Sequence, residues 1–108
     1  MRDIDSASFY DIINAESLSV VDFFGTWCMP CKRIRPILEK VDEKLKDINF
    51  YGVDVDECHD IAASYKVFSV PTIMCFRSWE KLGTLVGLNS YDEIMEFVKN
   101  CEKIKLED

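Results

Sequence analysis

Two cysteines separated by two residues, Cys28-Met29-Pro30-Cys31, are the side chains of this 108-residue sequence best suited to chemistry. The spacing fits half of a metal site or a pair of thiols that exchange with a disulfide. The flanks weigh on the choice. The run Val20-Val21-Asp22-Phe23-Phe24 before the pair reads as a buried strand, and a helical pattern follows it. Cys28 therefore falls where a strand ends and a helix begins. The first N–H groups of a helix lack intrahelical partners and carry the positive end of its dipole. A thiolate is stabilised there, which lowers the thiol pKa. Zinc takes about four ligands. The only neighbouring cysteine and histidine, Cys58-His59, are adjacent and cannot easily reach one tetrahedral ion. Disulfide exchange is the favoured chemistry, and no metal is expected.

Asp22 is the second informative residue, because it interrupts an apolar strand. Burial disfavours a carboxylate, so its pKa should rise, and a carboxyl half-protonated near neutrality can take and return protons.

The elements that must position these groups follow from periodicity. Leu18 to Phe24 reads as a central strand. From Cys31 the apolar residues Ile34, Ile37, Leu38, Val41 and Leu45 form a helical stripe, with Pro36 inside it as an expected kink. Ser8 and Asp11 read as a helix start before Ile12 and Ile13. Asn49 to Asp56 reads as a strand, Asp56 to Tyr65 as a short helix, and Thr72 to Phe76 as a strand. A turn at Ser78 to Lys81 precedes a strand over Leu82 to Leu88. Ser90 and Glu93 form a capping box before a last helix carrying Ile94, Val98 and Cys101. The tail Glu102 to Asp108 should fray. The order α-β-α-β-α-β-β-α implies an α/β fold with a mixed sheet and helices on both faces. Strands joined by a helix should be parallel, and the last two should form an antiparallel hairpin.

A chain of this size is expected to be one domain, residues 1–108. The formal net charge of -7 argues against nucleic acid and anionic membranes as partners. With neither an apolar leader at Met1-Arg2-Asp3-Ile4 nor an even set of cysteines among the five, a reducing compartment is expected.

Five segments together resemble the thioredoxin family. They are Val21-Asp22-Phe23-Phe24, Trp27-Cys28-Met29-Pro30-Cys31-Lys32, Val53-Asp54-Val55-Asp56, Val70-Pro71-Thr72 and Val86-Gly87, in the family's order and spacing. The Val53 to Cys58 stretch is more similar to eukaryotic cytosolic members. The resemblance implies a thioredoxin fold and a protein-disulfide reductase. Cys28 would be the nucleophile, Cys31 the resolving thiol, Cys28–Cys31 the redox disulfide, and Asp22 the proton acceptor behind Cys31. It implies a cis Val70-Pro71 bond, although the residues alone suggest a trans proline opening a strand. It also implies a flat apolar substrate surface of Trp27, Met29, Pro30, Val55, Val70, Pro71 and Gly87. For Trp27, core packing is the competing expectation. The implied partners are an NADPH-dependent thioredoxin reductase and disulfide-containing proteins. The implied protein is a cytoplasmic monomer without a bound cofactor. A redox-regulated binding module, or a disulfide isomerase or oxidase, are the alternatives.

Three departures from the family pattern stand out. Met29 replaces the usual glycine and should shift the reduction potential. Trp79 stands in a turn where glycine is frequent. The lysine that accompanies the buried carboxyl in many bacterial relatives is missing from Phe50-Tyr51-Gly52. Cys75 and Cys101 read as small core residues and Cys58 as a thiol of low reactivity.

Overall fold

The computed structural model describes residues 1–105. The elements are β1 (Arg2–Asp3), α1 (Ser6–Ile13), β2 (Ser19–Phe24), α2 (Met29–Lys44), β3 (Asn49–Asp54), α3 (His59–Ser64), β4 (Thr72–Arg77), β5 (Glu80–Val86) and α4 (Tyr91–Glu102). They build a five-stranded sheet in the order β1-β3-β2-β4-β5. β1, β3 and β2 are mutually parallel, while β4 runs antiparallel to β2 and β5 antiparallel to β4.

Alternation along β2 sorts the interior into two clusters. Val20 joins Ile34, Leu38 and Val41 of α2 and Ile94 and Val98 of α4 on one face. Val21 and Phe23 join Phe9 and Ile13 of α1 and Ile61 of α3 on the other. Successive strand side chains point to opposite faces, so Asp22 shares the α2/α4 face with Val20. Cys75 and Cys101 lie in that same core cluster, as their sequence positions suggested.

Several boundaries differ from the sequence expectations. β1 has only two residues, too few for periodicity to mark. Helix α1 begins earlier than Ser8, because the carboxylate of Asp5 caps it by accepting from the Ser8 N–H at 2.9 Å. The strand expected at Leu82 to Leu88 spans Glu80–Val86, and its hairpin turn is the two residues Ser78 and Trp79, both at positive φ (48° and 74°). Two-residue hairpin turns demand such angles. Their N–H groups are held by the carbonyls of Ala15 and Ile13, at 2.9 and 2.8 Å. Helix α3 is restricted to six residues, and α2 continues through Pro36 as one element. Helix α4 extends to Glu102, and the expectation for the tail lies partly outside the described residues.

The rule that helix-linked strands are parallel fails for β3-α3-β4. A six-residue helix is about 9 Å long, whereas six strand residues span about 20 Å. Helix α3 is thus too short to carry the chain back along the sheet, and β4 starts where β3 ends. The pairs Phe24↔Asp54, Phe23↔Thr72 and Thr72↔Val86 bring four strand ends to one rim. The β2-α2 junction and the Val70-Pro71 bond sit at that rim.

The last helix carries the expected capping box, with Ser90 Oγ accepting from the Glu93 N–H and Glu93 Oε1 accepting from the Ser90 N–H, both at 3.1 Å. Ser90→Ala should cost about 1 kcal/mol of stability. Urea unfolding checks this, and an unchanged midpoint would contradict the cap's contribution.

Candidate active site

Gly25, Thr26 and Trp27 link the end of β2 to α2, and the Cys28 N–H donates to the Gly25 carbonyl at 3.1 Å. Cys28 is the N-cap of α2, with Met29 and Pro30 opening the first turn. Proline is favourable there because its missing N–H would have no helical partner. The Cys31 N–H donates to Cys28 Sγ at 3.2 Å. A cysteine sulfur thus takes the place that a serine or aspartate oxygen fills at an ordinary helix start. Cys28 and Cys31 are joined as a disulfide, with their Cα atoms 5.3 Å apart. In the bonded state they are nearly alike in exposure, at 4% and 3%, because Cys28 Sγ lies 3.7 Å from the Val70 carbonyl oxygen and is covered by that loop.

The Val70-Pro71 bond is cis, as the resemblance implied. Pro71 itself is buried rather than part of an exposed apolar patch. Its carbonyl accepts from the Gly87 N–H at 2.9 Å, and Gly87 sits at φ +90°, a conformation that favours glycine. Thus Pro71 and Gly87 shape the loop facing the cysteines through backbone contacts.

Trp27 is 65% exposed, which excludes the core-packing expectation. Its indole Nε1–H donates to Asp56 Oδ2 at 2.9 Å, and Asp56 is held in turn by its N–H donating to Asp54 Oδ1 at 2.9 Å. The ring lies across Gly25, where a Cβ would come within 2.7 Å of it. Met29 and Pro30 are exposed, and Val55 and Val70 half-buried. Phe68, at 89% exposure, was not singled out from the sequence, and the exposed Val86 and Leu88 were not assigned to the substrate surface. A phenylalanine two residues before Val70-Pro71, between Val67 and Ser69, was the available signal for the first. Trp79 lies at the opposite end of the β4-β5 hairpin from the Thr72↔Val86 rim, so it adds no contact surface here. Cys58 is buried against the Ile4 carbonyl, 3.9 Å away, and away from the redox pair.

Asp22 is 1% exposed and, among the described residues, neither carboxylate oxygen has a hydrogen-bond partner. It lines a mostly apolar cavity of about 310 Å³ together with Cys31, Lys32, Arg35 and Phe24. Loss of water raises its pKa from 3.8 to about 7, against an opposing pull from Arg35 and with a smaller push from Asp3. The chemistry of the arrangement is specific. It contains a sulfur at a helix N-terminus, a second sulfur one turn on, and, lining the same cavity as that second sulfur, a carboxyl whose pKa burial raises to about 7. Among the described residues, no group of three or more His, Cys, Asp or Glu side chains is placed to hold a metal ion.

Comparison with known proteins gives a consistent result. A family model described as thioredoxin matches residues 1–100. Thioredoxin-2 of Saccharomyces cerevisiae is 43% identical over 88 residues, covering 80% of this chain and 85% of that protein. Thioredoxin from Trypanosoma brucei brucei superposes with a TM-score of 0.86 at 28% identity, covering 94% of this chain and 90% of that one. Mitochondrial thioredoxin 3 from Saccharomyces cerevisiae, in its oxidised form, gives 0.85 at 30% identity over 93% and 94%.

Proposed function

Because the chain belongs to the thioredoxin family, whose members are thiol-disulfide oxidoreductases, we propose that it acts as a general protein-disulfide reductase with Cys28 as nucleophile, Cys31 as resolving thiol and Asp22 as proton acceptor. The observation that carries this reading is the Cys31 N–H aimed at Cys28 Sγ at the start of a 16-residue helix. That donor and the helix dipole stabilise negative charge on Cys28.

In the first step the Cys28 thiolate attacks one sulfur of a substrate disulfide. A Cys28–substrate bond forms, the substrate S–S bond breaks, and the other substrate sulfur leaves as a thiolate that takes up a proton. In the second step Cys31 gives its proton to Asp22 and attacks Cys28 Sγ. The mixed disulfide breaks, and the remaining substrate sulfur leaves as a thiolate and is protonated. The substrate gains two electrons and two protons, and the Cys28–Cys31 disulfide remains. The short tether between the two cysteines keeps the resolving sulfur within reach at high effective concentration.

Trp27, Met29, Pro30, Val55 and Val70 supply apolar surface around the pair, and the Val70 backbone offers an edge for an extended substrate segment. Such a surface asks little of sequence and suits many disulfide-bearing proteins. An NADPH-dependent thioredoxin reductase returns the dithiol, the cytoplasm is the compartment this reading assigns, and the working unit is a single thioredoxin domain acting as a monomer. Among the described residues, no helix is long and apolar enough to cross a membrane.

The test is reduction of insulin by dithiothreitol with catalytic amounts of the protein. The wild-type protein should accelerate precipitation of the freed insulin chain, and a rate equal to that of dithiothreitol alone would refute the reading. Within the same assay, Met29→Ala should raise KM about three- to ten-fold with little change in kcat, the usual scale for losing one interface side chain. A fall confined to kcat would remove Met29 from the docking surface.

A further inference from the structure

The strand residue paired directly with Asp22 is Gly52 of β3, which brings no side chain to the carboxyl. The space above Gly52 is nevertheless filled. Arg35, one turn beyond Cys31 on α2, reaches across and pairs its Nη1 with Asp3 Oδ1 of β1 at 2.9 Å. A Cβ on Gly52 would come within 2.9 Å of Arg35 Nη1 and closer still to Asp3 Oδ1. The guanidinium also lies over the Phe24 ring, 5.7 Å from its centre. Arg35 lines the same cavity as Asp22 and Cys31. Glycine at position 52, aspartate at 3 and arginine at 35 thus form one construction drawn from three elements.

We propose that this Arg35–Asp3 ion pair, seated over Gly52, is a positioning device that sets how readily Asp22 takes the Cys31 proton. The inference rests on the proton-acceptor role given to Asp22 above. Arg35 does not touch the reacting sulfurs as an acid or base; it acts through Asp22. Its charge favours the carboxylate, and Asp3 both anchors the guanidinium and offsets part of that charge. The other groups facing Asp22 are Cys31 and the exposed Lys32 of α2. β3 contributes Gly52, and β4 contributes Ile73, which has no charge. A cation held by a partner is a finer control than a free one, because the net field at Asp22 depends on both members.

The experiment is an NMR titration of the Asp22 side-chain carbonyl in the full-length oxidised protein, where neither Cys28 nor Cys31 titrates. Arg35→Gln should move the Asp22 midpoint up by about one unit. Asp3→Asn should move it down, since the amide oxygen can still accept from Arg35 while the negative charge is gone. Arg35→Lys, which keeps the cation, should return the midpoint close to wild type. Opposite shifts in the first two variants support the device. No upward shift in Arg35→Gln, or shifts of the same sign in both, as a merely structural pair would give, overturns it. The titration reads Asp22 whether or not Asp22 serves Cys31. If the acceptor role itself were wrong, that would show separately, as an unchanged rate of mixed-disulfide resolution in Asp22→Asn.

Discussion

Asp22→Asn should stabilise the oxidised protein by about 4 kcal/mol at pH 8 and by under about 1 kcal/mol at pH 4. The sign follows from the direction of the pKa shift. Burial raises the Asp22 pKa from 3.8 in the open chain to about 7 in the fold. Folding therefore favours the protonated carboxyl. Below about pH 4 both states are protonated and the residue costs nothing extra. As pH rises towards 7, the unfolded chain releases the proton while the folded one retains it, and stability falls. Above 7 the penalty levels off at roughly three pKa units, each worth about 1.4 kcal/mol. Asparagine has nearly the same shape and no charge to desolvate, so it escapes the loss. Urea unfolding of both proteins at pH 4, 6 and 8 checks this, and curves that stay parallel across pH would contradict a buried, raised Asp22. The same substitution should slow resolution of a mixed disulfide by about a hundredfold near neutral pH, the low end of what a positioned base contributes. A stability gain joined to a catalytic loss is the signature of a group retained for its chemistry.

The second large effect separates the two cysteines. Cys28→Ser should lose insulin reduction down to the dithiothreitol background, since a serine hydroxyl cannot open a disulfide and Cys31 lies inside α2 without the N-cap position that favours a thiolate at Cys28. Cys31→Ser should still complete the first step. It should then accumulate covalent Cys28–substrate adducts, visible by mass spectrometry as many different partners released by reductant. A redox-regulated binding module would instead hold one stable partner independently of Cys28. Equal activity loss in both variants with no adducts in Cys31→Ser would remove the assigned order of attack.

How much of this was legible in the sequence depended on whether the signal was local. Cys28, Cys31 and Asp22 stood out because each broke the pattern of its own segment, and the capping box at Ser90 and Glu93 is a four-residue signal. The direction of β4 was not local. It depends on α3 being six residues long, and the polar stretch from Asp56 to His59 gave no periodicity to fix that length. Arg35, Asp3 and Gly52 were invisible as a group for the same reason. The absence of a lysine on β3 beside Asp22 could be read from Phe50-Tyr51-Gly52, but the Arg35–Asp3 pair over Gly52 comes from a helix and an edge strand that only the fold brings together. Phe68 escaped notice because one aromatic in a loop carries no period, and only its exposure distinguishes it.

The direction in which electrons move is tested most directly by the reduction potential of the Cys28–Cys31 couple, measured by equilibration against dithiothreitol or glutathione buffers and quantified by thiol alkylation. A reductase requires a couple more reducing than its substrates, at about −270 mV, a figure general to thioredoxins rather than one obtained from this geometry. Met29 is expected to move it from that figure without reversing the flow. A potential near about −180 mV, in the range of protein disulfide isomerase, would mean that the couple withdraws electrons from proteins, and would contradict a reductase.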